Sequence, residues 1–515
     1  MKRTFLVICL VLSASLAALV WLSHRQADAR GGVLTVYCAA GLKQAVEAAA
    51  ADYQRECGTR VQLQFGGTGT LLSQIRTAKR GDLFVAADGG TLADARKTDV
   101  IREVLPIMRQ HPVIAVRTGN PKHILTLDDL LRADVRVALA NPEAASIGRA
   151  TQAALGARWA DLAGHATVMK PTVTELASDL SLGTVDAAIL WDATVGQFAG
   201  LEGIEVPELS ARIENASVAV LTSCTQAPAA LRFARYLASP EKGGALFQKH
   251  GMTPAGGDHW EPRPTLILYS GGVNRPAIES LLREFAEREG IEITTVFNGC
   301  GILCAAMKTM GDASNPKFPD AYYACDLSFI PPVAQHFPEF FVLTETDFGI
   351  VIPKGNPRGV HALADLAQPG LRLGLCNAEQ STLGYLTNGV LRASGLEAAV
   401  RKNVVVEVPT ADFLINQLRA NSLDAAIVYR VNARSQATYL DYLPIAHPGA
   451  KAVQPFSIRV DSPNARLAGR LLDFFRTRRK NFEDAGFVWR GDEAVRRSDQ
   501  IELPPWLRAD GKAPD

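Results

Sequence analysis

Val61-Gln-Leu-Gln-Phe65-Gly-Gly-Thr-Gly69 and Ile293-Thr-Thr-Val-Phe297-Asn-Gly-Cys-Gly301 are the same phrase written twice. Each is a β-prone run that ends in an aromatic residue, a glycine-rich turn and a helical pattern. Phe65 and Phe297 stand 232 residues apart, and so do Tyr37 and Tyr269, in Leu34-Thr-Val-Tyr37 and Leu266-Ile-Leu-Tyr269. Working outward, Asp82-Leu-Phe-Val-Ala-Ala-Asp88 pairs with Asp320-Ala-Tyr-Tyr-Ala-Cys-Asp326, and Gly119-Asn-Pro121 with Gly355-Asn-Pro357. Asn141-Pro-Glu143 then pairs with Asn377-Ala-Glu379, Pro171-Thr172 with Pro409-Thr410, and Asp186-Ala-Ala-Ile189 with Asp424-Ala-Ala-Ile427. The order is the same in both halves and the spacing drifts by a few residues, so the chain is a tandem duplication.

The junction Gly256-Gly-Asp-His-Trp-Glu-Pro-Arg-Pro264 is rich in turn formers, which places domain one at 30–258 and domain two at 264–503, with a tail at 504–515. Within the first copy, Val61–Phe65, Leu83–Ala86, Val113–Val116, Val135–Leu139 and Ala187–Leu190 read as strands. Leu42–Glu56, Thr70–Lys79, Thr126–Leu131 and Val173–Leu182 read as helices. This alternation predicts an α/β fold with parallel sheets covered by helices on both sides. Ligands of such sheets sit where a strand's carboxyl end leads into a helix, here Cys38–Gly41, Gly66–Gly69 and Asn141–Gly148.

Composition limits what those loops can hold. There are 54 basic and 53 acidic side chains in 515 residues, a net charge of +1, with no basic run, so a nucleic-acid partner is not expected. Anion selectivity would come from local dipoles, not from the global field. A helix start supplies unpaired N–H donors and partial positive charge, and Thr68 adds a hydroxyl. The glycines are explained equally well by turn geometry alone. The loop is not a phosphate-binding P-loop, because no Gly-Lys-Ser/Thr follows it.

Lys2 and Arg3 precede an apolar stretch from Phe5 to Leu22, and Ala27-Asp28-Ala29 follows it. Residues 1–29 read as a secretory signal cut after Ala29; the alternative is an uncleaved inner-membrane anchor over residues 5–22, the one expected membrane contact. Either way a periplasmic location is expected. Export puts Cys38, Cys57, Cys224, Cys300, Cys304, Cys325 and Cys376 in an oxidising compartment, an odd number with no C-x-x-C spacing. Cys300 and Cys304 lie one turn apart at the start of an expected helix Ile302–Met310, near the end of the expected strand Ala321–Ala324. A reactive or metal-binding thiol and a structural disulfide among Cys300, Cys304 and Cys325 are both compatible with that placement. The histidines lack ligand spacing and read as surface or loop residues. No serine-hydrolase, zinc-protease or Cys/His pattern occurs, so no catalytic residue, metal or cofactor is expected and the chain does not read as an enzyme. Asp82, Asp88, Asp186 and Asp424 read as caps of following turns.

Val36-Tyr-x-Ala-Ala-x-Leu42, Phe65-Gly-Gly-x-Gly69, Asp82-Leu-Phe-x-x-Ala-Asp88, Gly119-Asn-Pro121, Asn141-Pro-Glu143 and Asp186-Ala-Ala-Ile189 together resemble the molybdate-binding periplasmic receptors. These are the capture components of ABC importers. The resemblance spans nearly all of both copies. It implies two type II periplasmic-binding-protein-like units, each with two α/β lobes joined by a hinge and closing over a small tetrahedral oxyanion such as molybdate or tungstate. It also implies ABC importer membrane subunits as partners. Carried over by motif, the ligand positions are Gly41, Thr68, Ile147, Val173 and Trp191 in copy one. In copy two they are Val273, with Ser270 as its possible replacement by a shift of the turn, then Cys300, Leu383, Ala411 and Tyr429. Copy one keeps the family's hydroxyl and lacks its tyrosine, and copy two does the reverse. Those losses leave two other readings: a membrane-anchored sensory or structural ectodomain with degenerate clefts, and a cysteine-dependent redox enzyme.

Overall fold

The computed structural model describes residues 32–311 and 315–502. The expected signal or anchor and the tail lie outside these residues. The chain divides between Pro262 and Arg263 into two compact units. Among the described residues no helix is long and apolar enough to cross a membrane.

The first unit runs β1 (Leu34–Ala39), α1 (Lys43–Cys57), β2 (Val61–Gly66), α2 (Thr68–Ala78), β3 (Leu83–Ala86), α3 (Gly89–Lys97) and β4 (Ile101–Gln110). The chain then continues into β5 (Pro112–Arg117), β6 (Val137–Ala140), α4 (Ser146–Leu155), β7 (Val168–Lys170), α5 (Val173–Leu182), β8 (Ala187–Trp191) and β9 (Leu201–Ile204). It closes through β10 (Glu214–Leu221), α6 (Ala227–Ala238) and β11 (Thr253–Pro254). Two sheets result, ordered β11-β4-β10-β3-β1-β2 and β7-β6-β8-β5-β9. Each is the floor of one lobe.

Strand period two explains the first sheet. Val36 and Cys38 of β1 point to one face and pack with Val46, Ala49 and Tyr53 of α1. Tyr37 points to the other face and packs with Leu71 and Ile75 of α2. A strand covered on both sides reads as continuously apolar, as β1 does, while the edge strand β2 alternates. Gly58 stops α1 in the left-handed conformation at φ +71°, and Gly290 does the same in the second unit at φ +67°.

The sheets are mixed rather than parallel. β1–β2, β1–β3, β6–β7 and β6–β8 are parallel, but β10 runs antiparallel to β3 and β4, and β5 antiparallel to β8 and β9. The chain passes from the first lobe to the second at His111, between β4 and β5, and returns between β9 and β10. A strand that carries the chain across and back opposes the βα units beside it. His111 is part of this crossing and not a loose surface residue: its N–H donates to Asp192 Oδ1 at 3.0 Å, and its ring nitrogen Nε2 lies 2.9 Å from Glu205 Oε1.

The second unit repeats the plan through β12 (Thr265–Gly271), α7 (Arg275–Glu289), β13 (Glu292–Asn298), α8 (Cys300–Met310), β14 (Ala321–Tyr323) and β15 (Glu339–Pro353). β16 (Leu373–Cys376), α9 (Thr382–Ala393), β17 (Val404–Val408), α10 (Ala411–Arg419), β18 (Ala425–Tyr429), β19 (Leu440–Pro444) and β20 (Lys451–Ile458) follow. Here β15 is one unbroken strand of 15 residues that belongs to both lobes, so the sheets are continuous. The first unit breaks at the same place because Pro112 has no N–H to donate.

Two local expectations are corrected. Thr126–Leu131 is only a 3-10 turn at Asp128–Leu131, because Asp129 draws in the N–H groups of Leu125 and Thr126, each at 2.9 Å. Of the four aspartates, only Asp88 caps a helix, accepting from Thr91 N–H at 2.7 Å. Asp82 accepts from Thr35 N–H at 2.9 Å, tying β3 to β1. Asp186 and Asp424 hold the backbone and guanidinium of Arg136 and Arg372, with Nη2 at 2.9 and 2.8 Å.

Those arginine hydrogen bonds hold both carboxyls below the usual carboxylate range. A group depressed on folding stabilises fully above its unfolded pKa, and the contribution is lost as pH falls through the folded value. Asp186→Ala should therefore cost roughly 1.5 kcal/mol at neutral pH, the low end for hydrogen bonds to a charge because Arg136 is half-exposed. Urea unfolding of wild type and variant should show that gap at pH 7 and its shrinkage in acid. An equal gap at both pH values would contradict the assignment.

Candidate functional site

In the first unit, Gly41, Thr68, Ile147, Val173 and Trp191 line one cavity between the lobes. They come from distant segments. Gly41 follows β1, Thr68 opens α2, Ile147 is the second residue of α4, Val173 opens α5, and Trp191 ends β8. Three α-helix N-termini and a 3-10 turn at Ala40–Leu42 therefore converge on this space. The first turn of each helix has N–H groups with no acceptor inside the helix, together with the positive end of its dipole. Thr68 (2% exposed) and Ser146 (6%) add hydroxyls. Among the described residues, no Asp, Glu, Lys, Arg or His lines the cavity.

Taken over positions where the centre of a water-sized atom fits, the cavity measures about 20 Å³. Gln110 and Ser146 also line it, and neither is among the motif-aligned positions. Gln110 Nε2 donates to Ala87 O at 2.8 Å, fixing its side chain at the wall.

Gly67 and Gly69 have a different cause from turn geometry, while a Cβ on Gly66 would meet the Leu71 side chain of its own lobe at 3.1 Å. Gly67 sits at φ −64°, open to any residue. The constraint is the opposite lobe. A Cβ on Gly67 would lie 2.4 Å from Pro171 O, and one on Gly69 would lie 2.0 Å from Glu143 O. Gly69 N–H and Thr70 N–H donate to Ala144 O at 3.0 and 3.3 Å, so this is a closed cleft. Asn141 turns out to build the facing loop, its Oδ1 accepting from Glu143 N–H at 2.9 Å.

The second unit keeps the closure and changes the floor. Cβ atoms on Gly299 and Gly301 would lie 2.2 Å from Gln380 O and 1.8 Å from Glu379 O. Ser270, Val273, Cys300, Leu383, Ala411 and Tyr429 are all buried. The Ser270 hydroxyl donates to Gly271 O at 3.3 Å. Among the described residues the Tyr429 hydroxyl has no hydrogen-bond partner. α8 starts at Cys300, two residues earlier than its sequence pattern implied, just as α2 starts at Thr68. A groove of about 370 Å³ nearer the mouth is lined by Arg275, Phe297, Asn298, Asp412 and neighbours, and none of the motif-aligned residues lines it. Cys304 lies one turn further along α8, its sulfur donating to Phe329 O at 3.5 Å, and burial pushes its thiol up to about 12.

The profile of the bacterial extracellular solute-binding proteins matches residues 34–253 and again 266–488, one match in each unit. The chain belongs to that family. This solute-binding chain is 30% identical over 159 residues to a Haemophilus influenzae protein described as a binding protein. That match covers 30% of the chain and 65% of the relative, just under two thirds of its length. Among solved structures it is similar to the substrate-binding domain of a molybdenum ABC transporter from Clostridium difficile (18% identity, 43% of this chain and 99% of that one, TM-score 0.35). It is similar also to the Azotobacter vinelandii periplasmic molybdate-binding protein (17%, 43% and 98%, TM-score 0.36). A third is iron-bound HitA of Pseudomonas aeruginosa (18%, 45% and 89%, TM-score 0.38).

Proposed function

We propose that the first unit of this solute-binding protein captures a small tetrahedral oxyanion in the periplasm and delivers it to the membrane subunits of an ABC importer. The observation that carries the reading is the cavity where three helix starts meet without any ionisable side chain. A dehydrated anion needs hydrogen bonds and compensating charge; backbone N–H groups and helix dipoles provide both without a bound cation to lock it in place. Gln110 Oε1 and the hydroxyl oxygens of Thr68 and Ser146 can accept a hydrogen bond as well, so the candidate ligands are molybdate, tungstate, sulfate and phosphate.

Thermal melting of the full chain with each of the four anions tests this. Saturation at about a hundred times Kd stabilises by about 2.7 kcal/mol, which for a unit of this size raises Tm by roughly 5–10 °C. At least one of the four should produce that shift. No shift with any of them at millimolar concentration would overturn the reading and favour a degenerate cleft.

A further inference from the structure

The floor of the second unit carries a matched set of three changes relative to the first. Thr68 is replaced by Cys300, Ala87 by Cys325, and Ala39 by Gly271. Cys300 opens α8 and Cys325 follows β14, and folding brings their sulfurs to 3.0 Å although 25 residues separate them. The N–H of Cys325 also donates to Cys300 Sγ at 3.1 Å. Gly271 is what admits the second sulfur: a Cβ there would lie 2.1 Å from Cys325 Sγ and 3.2 Å from Cys300 Sγ. Alanine, the residue of the first unit, would exclude Cys325 from this position. Two cysteines and the glycine that makes room for them form one device, and a lone replacement would explain neither of the others.

We propose that Cys300 and Cys325 form a disulfide in the exported protein, a covalent cross-link in the floor of the second cleft. The sulfurs need to approach by about 1 Å to reach the bonding distance. In the reaction an S–S bond forms between Cys300 and Cys325, the S–H bonds break, and two protons and two electrons leave. A disulfide-bearing oxidant of the oxidising compartment takes them by thiol–disulfide exchange and departs as two thiols. Cys304, one turn further along α8, is not the partner, because its sulfur meets Phe329 O at 3.5 Å and the Tyr322 hydroxyl at 3.7 Å, whereas that of Cys300 meets Cys325. Once oxidised, the position that Thr68 holds in the first unit no longer carries an S–H, so the second cleft loses its one side-chain donor there. The cross-link itself does not depend on the first unit's ligand.

Full-length protein secreted into an oxidising compartment is alkylated under denaturing conditions without reductant, digested and mapped by mass spectrometry. A Cys300–Cys325 linked peptide is expected, with Cys38, Cys57, Cys224, Cys304 and Cys376 alkylated. Alkylation of both Cys300 and Cys325 in the unreduced protein, or linkage of either to another cysteine, would overturn the proposal. Reduction should also lower the melting temperature of the transition that includes this unit by roughly 10 °C, as opening a loop of this length predicts. The shift should vanish in the Cys300→Ser/Cys325→Ser variant; a reductant shift of the same size in that variant would count against the pair. If the variant does not fold, the peptide map of the wild type decides.

Discussion

Gly69→Ala should weaken anion binding by the first unit roughly a hundredfold or more while leaving its thermal stability unchanged or slightly raised. Gly69 lies in the first turn of α2, where alanine is the better helix former. The atoms nearest the added methyl group all belong to Glu143 and Ala144 of the facing lobe. What opposes it is Glu143 O of the facing lobe, 2.0 Å from the new Cβ, and that atom is backbone and cannot swing aside. The variant lobes therefore stop short of closure. The donors at Ser146, Ile147 and Val173 then stand back from an anion held by Gly41 and Thr68. Loss of two hydrogen bonds to a charge costs about 3–6 kcal/mol, which is where the hundredfold comes from. Calorimetric titration of the full chain with the anion that gives the largest melting shift reads the effect directly. The matching Gly301→Ala, 1.8 Å from Glu379 O in the second unit, should leave that affinity alone. An unchanged Kd in Gly69→Ala would show that closure over the ligand does not use this contact.

Thr68→Val should cost about ten- to a hundredfold in affinity, and Cys300→Ala almost nothing. Valine keeps the shape of the buried threonine and removes its hydroxyl, a hydrogen bond to a charged ligand worth roughly 1.5–3 kcal/mol. Cys300 occupies the equivalent place in the second unit, where its weak S–H donor meets Cys325 and not open cavity. Calorimetry on both variants separates the units. Full affinity in Thr68→Val with binding lost in Cys300→Ala would make the second unit the receptor.

Much of the site was legible before folding because the duplication repeats short strand-to-helix phrases, and the carboxyl ends of strands in α/β sheets are where such phrases gather. Gly41, Thr68, Ile147, Val173 and Trp191 are remote in the chain and line one cavity. Gln110 and Ser146 were missed for different reasons. Ser146 lies inside a loop already singled out, but one residue from the motif-aligned position. Gln110 belongs to β4, whose role as the strand crossing between lobes depends on its pairing with β10 and has no local sequence mark. The same crossing strands turned an expected parallel sheet into a mixed one.

The sequence by itself determined the duplication, the α/β class, the helix starts that supply neutral donors, and the exchange of Thr68 for Cys300. All of these are local facts: a period, a propensity, a residue at a known distance from a repeated phrase. Three matters were decided only in the tertiary structure. Gly67 and Gly69 answer to carbonyl groups of the opposite lobe, more than seventy residues further along the chain. Asp186 and Asp424 hold arginines of a neighbouring strand instead of capping a turn. Cys325, and not Cys304, meets Cys300, because folding sets the start of α8 against the residues that follow β14. Each depends on which backbone passes within a few ångströms, and long-range packing sets that distance, not the residues on either side.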